Sequence, residues 1–115
     1  MGELSKEVVN KLNKHVVEII LDKKATIESK IKKVSYLIRL GADVGGKNGI
    51  GRMILLFGAA GGHIELVELM LQNGVDASVR DNKGMTAMAI AFRAGYMDIV
   101  ELLKKYKKIE RKSKT

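Results

Sequence analysis

The chain has 115 residues, 46% hydrophobic and 30% charged, with a formal net charge of +8. That length allows one domain with a modest core, and so much apolar content excludes disorder throughout. Cysteine is absent, which excludes a disulfide framework and thiolate zinc sites and fits a reducing compartment, and no apolar run reaches the roughly 18 residues of a membrane span.

The N-terminus, Met1 to Lys6, lacks a basic segment followed by an apolar stretch, so no ordinary signal peptide is visible. The reading is of an intracellular, cytoplasmic protein, with the nucleus and secretion as a bacterial effector left open. Ser5 is placed to cap a first helix whose apolar residues, Val8, Val9, Leu12, Val16, Ile19 and Ile20, recur at steps of three and four and share one face. It stops near Asp22-Lys23-Lys24, where lysines suit the negative end of a helix. Thr26 caps the next helix, with Ile27, Ile31, Val34, Leu37 and Ile38 inward, and Gly41 closes it.

Two shorter helix pairs follow. Gly51 to Gly61 and His63 to Asn73 make one pair around Gly62, with Gly74 as its terminal cap. Thr86 to Ala94 and Met97 to about Lys107 make the other, around Gly95. Leu69 and Leu102 are expected on the buried faces. The connectors, Ala42 to Ile50 and Val75 to Met85, are rich in Gly, Asp and Asn, as tight turns require. From Lys104 the chain starts as the last turns of a helix and then frays.

A period of 33 residues underlies this layout. Gly62-His63-Ile64-Glu65-Leu66-Val67-Glu68-Leu69-Met70 returns as Gly95-Tyr96-Met97-Asp98-Ile99-Val100-Glu101-Leu102-Leu103, and Gly41-Ala42-Asp43-Val44 returns as Gly74-Val75-Asp76-Ala77. Ile31, Val34 and Leu37 fall in phase with Ile64, Val67 and Met70. A fixed period in this range marks a stack of units that bury their apolar faces against one another.

These strings resemble the ankyrin repeat, two antiparallel helices followed by a turn-rich finger, over roughly residues 26–106. The resemblance implies an all-α short solenoid of stacked helix pairs with turn or β-hairpin fingers. In that layout residues 1–25 are an N-terminal capping helix. The repeats occupy 26–106, with a divergent first unit to about 46, a second at 47–79 and a third at 80–106, and residues 107–115 are a basic tail. The family opens its first helix with a Thr-Pro-Leu-His tetrad, whereas this chain has Thr86-Ala87-Met88-Ala89 and Met53-Ile54-Leu55-Leu56. The usual polar ladder between fingers is therefore expected to give way to aliphatic contact. His63 takes the family's Gly-His position, where the side chain fixes the bend between helices.

No catalytic set stands out. Gly41 to Asn48 nearly spells a phosphate-binding loop, but a helix precedes it and Asn48 replaces the magnesium-binding hydroxyl. The two histidines, His15 and His63, lie far apart in sequence and have no clustered carboxylates. The serines sit in no nucleophile-elbow context. No enzyme, cofactor or metal site is read.

The charge is uneven: +4 over residues 1–40, −2 over 41–103 and +6 over 104–115. The family binds partners through its concave side, made of finger tips and outward positions of first helices. Carried over by position, this side takes Lys47, Ile50 and Arg52 in one unit and Arg80, Lys83, Met85 and Arg93 in the next. The implied function is non-catalytic protein–protein interaction, with an acidic segment seated on a basic strip and Ile50 and Met85 as apolar anchors. The alternative is binding of nucleic acid or an anionic surface by the C-terminal tail. A monomer is expected ahead of an oligomer.

Overall fold

The computed structural model describes residues 4–113, with side chains described through Lys107. Six helices follow in order: α1 Lys6–Leu21, α2 Ile27–Leu40, α3 Ile50–Gly61, α4 Ile64–Gln72, α5 Ala87–Ala94 and α6 Met97–Ser113. Three helices start at hydroxyl caps. Ser5 accepts the Val8 N–H at 3.2 Å, Thr26 that of Ser29 at 3.1 Å and Thr86 that of Ala89 at 3.1 Å, each satisfying a donor the helix cannot. Gly74 has φ +89° and ends the α4 unit, a left-handed conformation that costs other residues about 1–2 kcal/mol.

First helices stack on first helices and second on second, α3 against α5 and α4 against α6, while α1 packs on α2 and reaches α3. One aliphatic core runs through the stack, with Val16, Ile20, Val34, Ile54, Leu55, Leu66, Val67, Met70, Ile99 and Leu103 almost fully buried. This makes the chain an all-α repeat fold. Among the described residues no strand forms, and one isolated antiparallel bridge pairs Arg80 with Thr86.

Three details depart from the sequence reading. Leu69 and Leu102 are only half-buried; Leu66, Val67 and Met70, with Ile99, Val100 and Leu103, hold the inward face instead. The inward stripe is centred about a third of a turn away, because it faces both the partner helix and the next unit. Helix α6 runs on to Ser113, since Lys, Glu and Arg are good helix formers and no glycine or proline follows Gly95. The tail's side chains from residue 108, and residues 114–115 entirely, lie outside the described residues. His63 makes no capping hydrogen bond with its side chain. Its ring instead lies 5.7 Å from that of Phe57, and its backbone carbonyl receives Leu66 and Val67 at 3.1 Å.

The unequal first helices follow the sequence reading and set the shape of the fingers. Helix α3 has 12 residues and α5 has 8, so α3 begins about one turn earlier in the repeat. Met53, the counterpart of Thr86, is therefore inside a helix rather than at its cap. The first finger is short and closed by Asn48, which donates to the Asp43 carbonyl at 3.0 Å and accepts the Ile50 N–H at 3.0 Å.

Candidate functional site

The second finger is a tight hairpin built around Asp81. Its carboxylate accepts the N–H groups of Lys83 and Met85, both at 2.9 Å, while its own N–H donates to the Met85 carbonyl at 2.8 Å. Such Asp turns use the side chain as a substitute backbone acceptor. Arg80, on the ascending arm, donates from Nη1 to the Gly84 carbonyl at 2.9 Å. The tip residues Asn82 and Lys83 are exposed in consequence.

The preceding unit reaches this hairpin through Arg52, near the start of α3. Its Nε donates to the Arg80 carbonyl at 2.7 Å, and Nη2 lies 3.4 Å from Asn82 Oδ1. A guanidinium presents several fixed donors and suits such a two-point contact. The sequence reading replaced the polar ladder between fingers with aliphatic contact alone; Arg52 restores a polar link from a position outside the tetrad. Farther along α5, Arg93 Nη1 lies 3.5 Å from Met85 Sδ. Arg52, Arg80, Met85 and Arg93 are thus brought together along one side of the stack.

Lys47 and Lys83 are exposed at the tips of the first and second fingers. Ile50 and Met85 are both half-buried, and Ile50 packs against the core. His15, the other histidine, is exposed, with Nδ1 3.9 Å from a Glu18 carboxylate oxygen. Among the described residues, no group of three or more His, Cys, Asp or Glu could hold a metal.

A property the segment total of −2 concealed emerges once the helices are placed. All five cations of residues 41–103, Lys47, Arg52, Arg80, Lys83 and Arg93, fall on fingers or first helices. Four of the seven acids, Glu65, Glu68, Asp98 and Glu101, fall on the second helices α4 and α6. The other three sit in turns. Asp76 accepts the Ser78 N–H and hydroxyl at 2.9 and 2.7 Å, Asp81 holds its hairpin, and the Asp43 carboxyl lies beside Gly46. Helices α3 and α5 contain no acid. Within residues 41–103 the finger side is therefore net cationic, and α4 with the first turns of α6 is anionic, whereas α2 and the later turns of α6 are basic.

The buried polar groups belong to scaffolding. Asn13, 7% exposed, accepts the Asp43 N–H at 2.7 Å and so ties α1 to the first finger. Among the described residues no buried side-chain nitrogen or oxygen lacks a partner. Among the described residues no helix is long and apolar enough to cross a membrane.

Comparison with known proteins agrees with this geometry. A family model described as ankyrin repeats in three copies matches residues 23–113. Over 49 residues, 43% of this chain, it is 43% identical to the probable E3 ubiquitin-protein ligase XBOS33 of Oryza sativa subsp. japonica, covering 9% of that protein. Over 75 residues, 65% of this chain, it is 29% identical to the putative ankyrin repeat protein L271 of Acanthamoeba polyphaga mimivirus, covering 10% of it. It is also 40% identical over 48 residues, 42% of this chain, to the putative ankyrin repeat protein RF_p14 of Rickettsia felis, covering 76% of that protein. The chain spans about a tenth of the length of the plant and viral relatives. With the period, the stacked helix pairs and the match all in one register, the chain belongs to the ankyrin repeat family, whose repeats are modules for binding other proteins.

Proposed function

We propose that the chain is a non-catalytic interaction module that takes an acidic segment of another protein along the concave side made by its fingers and by α3 and α5. The observation that carries this is the distribution of charge within residues 41–103: five cations lie on the finger side against three acids held in turns, and the other four acids lie on α4 and the start of α6. A predominantly cationic strip steers an oppositely charged partner and sets the salt dependence of its approach, while apolar contacts hold the complex. Ile50 and Met85 supply those contacts. In this reading α1 covers the open end of the stack, and the protein acts as a monomer inside a cell.

Arg52 is a poor probe of binding, because its guanidinium holds the second finger. The test therefore uses Lys47→Glu with Lys83→Glu, at two exposed tips, and a fluorescent Glu-rich peptide with interspersed leucines, kept extended by prolines so that it presents no helical face. The double reversal is expected to abolish binding with helical circular dichroism unchanged. Reversal of Lys107, Lys108 and Lys112 is expected to weaken binding only slightly, through the long-range field. The opposite pattern, together with retention of single-stranded DNA, would establish the tail as the site and the alternative reading as correct.

A further inference from the structure

The end of the stack formed by α5 and α6 carries an apolar groove that shares only Arg93 with the residues assigned to concave binding. It has a volume of about 440 Å³ and is lined by Met88, Phe92, Met97 and Val100, together with the cations Arg93 and Lys104. Phe92 is 62% exposed and Met97 48%, unusual for large apolar side chains on adjacent helices.

The repeat explains what this surface is. One period earlier the counterparts of Met88, Phe92, Val100 and Lys104 are Leu55, Ala59, Val67 and Leu71, at most 5% exposed, and that of Met97 is the half-buried Ile64, where α5 and α6 pack on α3 and α4. The groove is therefore the continuation of the stacking interface. It is also altered against a further regular unit. Phe92 stands where the interior has Ala59, and Lys104 where it has Leu71. A ring in place of a methyl blocks the close approach of another helix pair, and a regular unit would bury the Lys104 ammonium.

We infer that this end groove docks a single amphipathic helix of a partner protein, with apolar residues against Phe92 and Met97 and carboxylates against Arg93 and Lys104. The lining of α6 runs from Met97 to Lys104, about 10 Å of helix at 1.5 Å per residue, or two turns. Anchors at i, i+3 or i+4 and i+7 match that length. A second copy fits less well, because a two-fold contact sets Arg93 and Lys104 near their own counterparts on a chain of net charge +8. Lys104 now pairs with Glu101 at 3.5 Å, but both are exposed, and such a pair contributes little.

The probe is a synthetic peptide of about four helical turns, with leucines on one face and glutamates flanking them, titrated into the 15N-labelled chain. Saturable shifts are expected at the amides of Ala89, Phe92, Met97 and Val100. Phe92→Ser with Met97→Ser is expected to weaken binding about tenfold or more, as loss of apolar anchors does, and Lys104→Glu to weaken it several-fold. Lys47→Glu with Lys83→Glu should leave this affinity unchanged, so that failure of the concave site and failure of the end groove remain separate results. The inference is overturned if a control peptide with lysines in place of the glutamates binds as tightly, if the shifts are confined to Arg80–Met85, or if Lys104→Glu and the double serine variant keep full affinity. A dimer in sedimentation velocity that Phe92→Ser dissolves would equally overturn it, in favour of a second copy. Should the double variant fail to fold, Lys104→Glu, which changes an exposed position, decides alone.

Discussion

The ammonium of Lys30 lies over the ring of Phe57, 5.2 Å from its centroid. Lys30 is only 7% exposed, and the same Nζ donates to the Ile20 carbonyl at 2.9 Å, in the last turn of α1. One cation thus joins three helices: it projects from α2, satisfies the negative end of α1 and rests on the aromatic face of a residue in α3. Hydrogen bonding, helix dipole and ring quadrupole together offset the cost of burying the charge.

Lys30→Met keeps the stem and removes the charge. It is expected to lower stability by about 1–3 kcal/mol, the range for a buried hydrogen bond from a charged donor, and to increase amide exchange in α1 more than in α5. A urea midpoint equal to that of the unaltered chain would mean that the ammonium contributes nothing net.

Gly51→Ala is expected to destabilise the fold, although alanine is the better helix former by about 1 kcal/mol. A Cβ at this position in α3 would run into the Val44 carbonyl and the Val75 side chain. Overpacking of that kind costs about 1–3 kcal/mol. A rise in the thermal midpoint would show that the finger yields without loss.

Leu66→Ala and Ile99→Ala are expected to cost about 2–5 kcal/mol each, as fully buried aliphatic truncations do. Leu69→Ala and Leu102→Ala, at half-buried positions, are expected to cost less in the same urea titration. An inverted order would place the inward face on Leu69 and Leu102.

Arg52→Ala removes the link to the Arg80 carbonyl without touching the core. Amide exchange at Gly84 and Met85 in the second finger is expected to speed up about tenfold, the equivalent of one net hydrogen bond from a charged group. Lys47→Ala serves as the comparison and should leave those amides unchanged. Equal exchange in the two variants would mean that the hairpin around Asp81 is self-sufficient.

Much of the architecture was legible in the residues alone. The 33-residue period, the hydroxyl caps Ser5, Thr26 and Thr86 and the glycines at 41, 62, 74 and 95 are local signals. Each acts through the dihedral preferences or hydrogen bonds of its own neighbourhood, so no distant residue is needed to read it. The exposed, basic character of Lys47, Arg52, Arg80, Lys83 and Arg93 was likewise readable by position in the repeat.

What only the tertiary structure decided are contacts between residues far apart in the chain. Asn13 reaches Asp43, Lys30 reaches Phe57 and Arg52 reaches Arg80; no periodicity encodes these, because polar side chains fix their partners by where the helices come to rest. The same holds for the half-burial of Leu69 and Leu102, since a helix packed on two neighbours turns its stripe to serve both. The separation of charge also needed the fold: a count along residues 41–103 sums first and second helices together, and only stacking puts the cations on one side and most of the acids on the other.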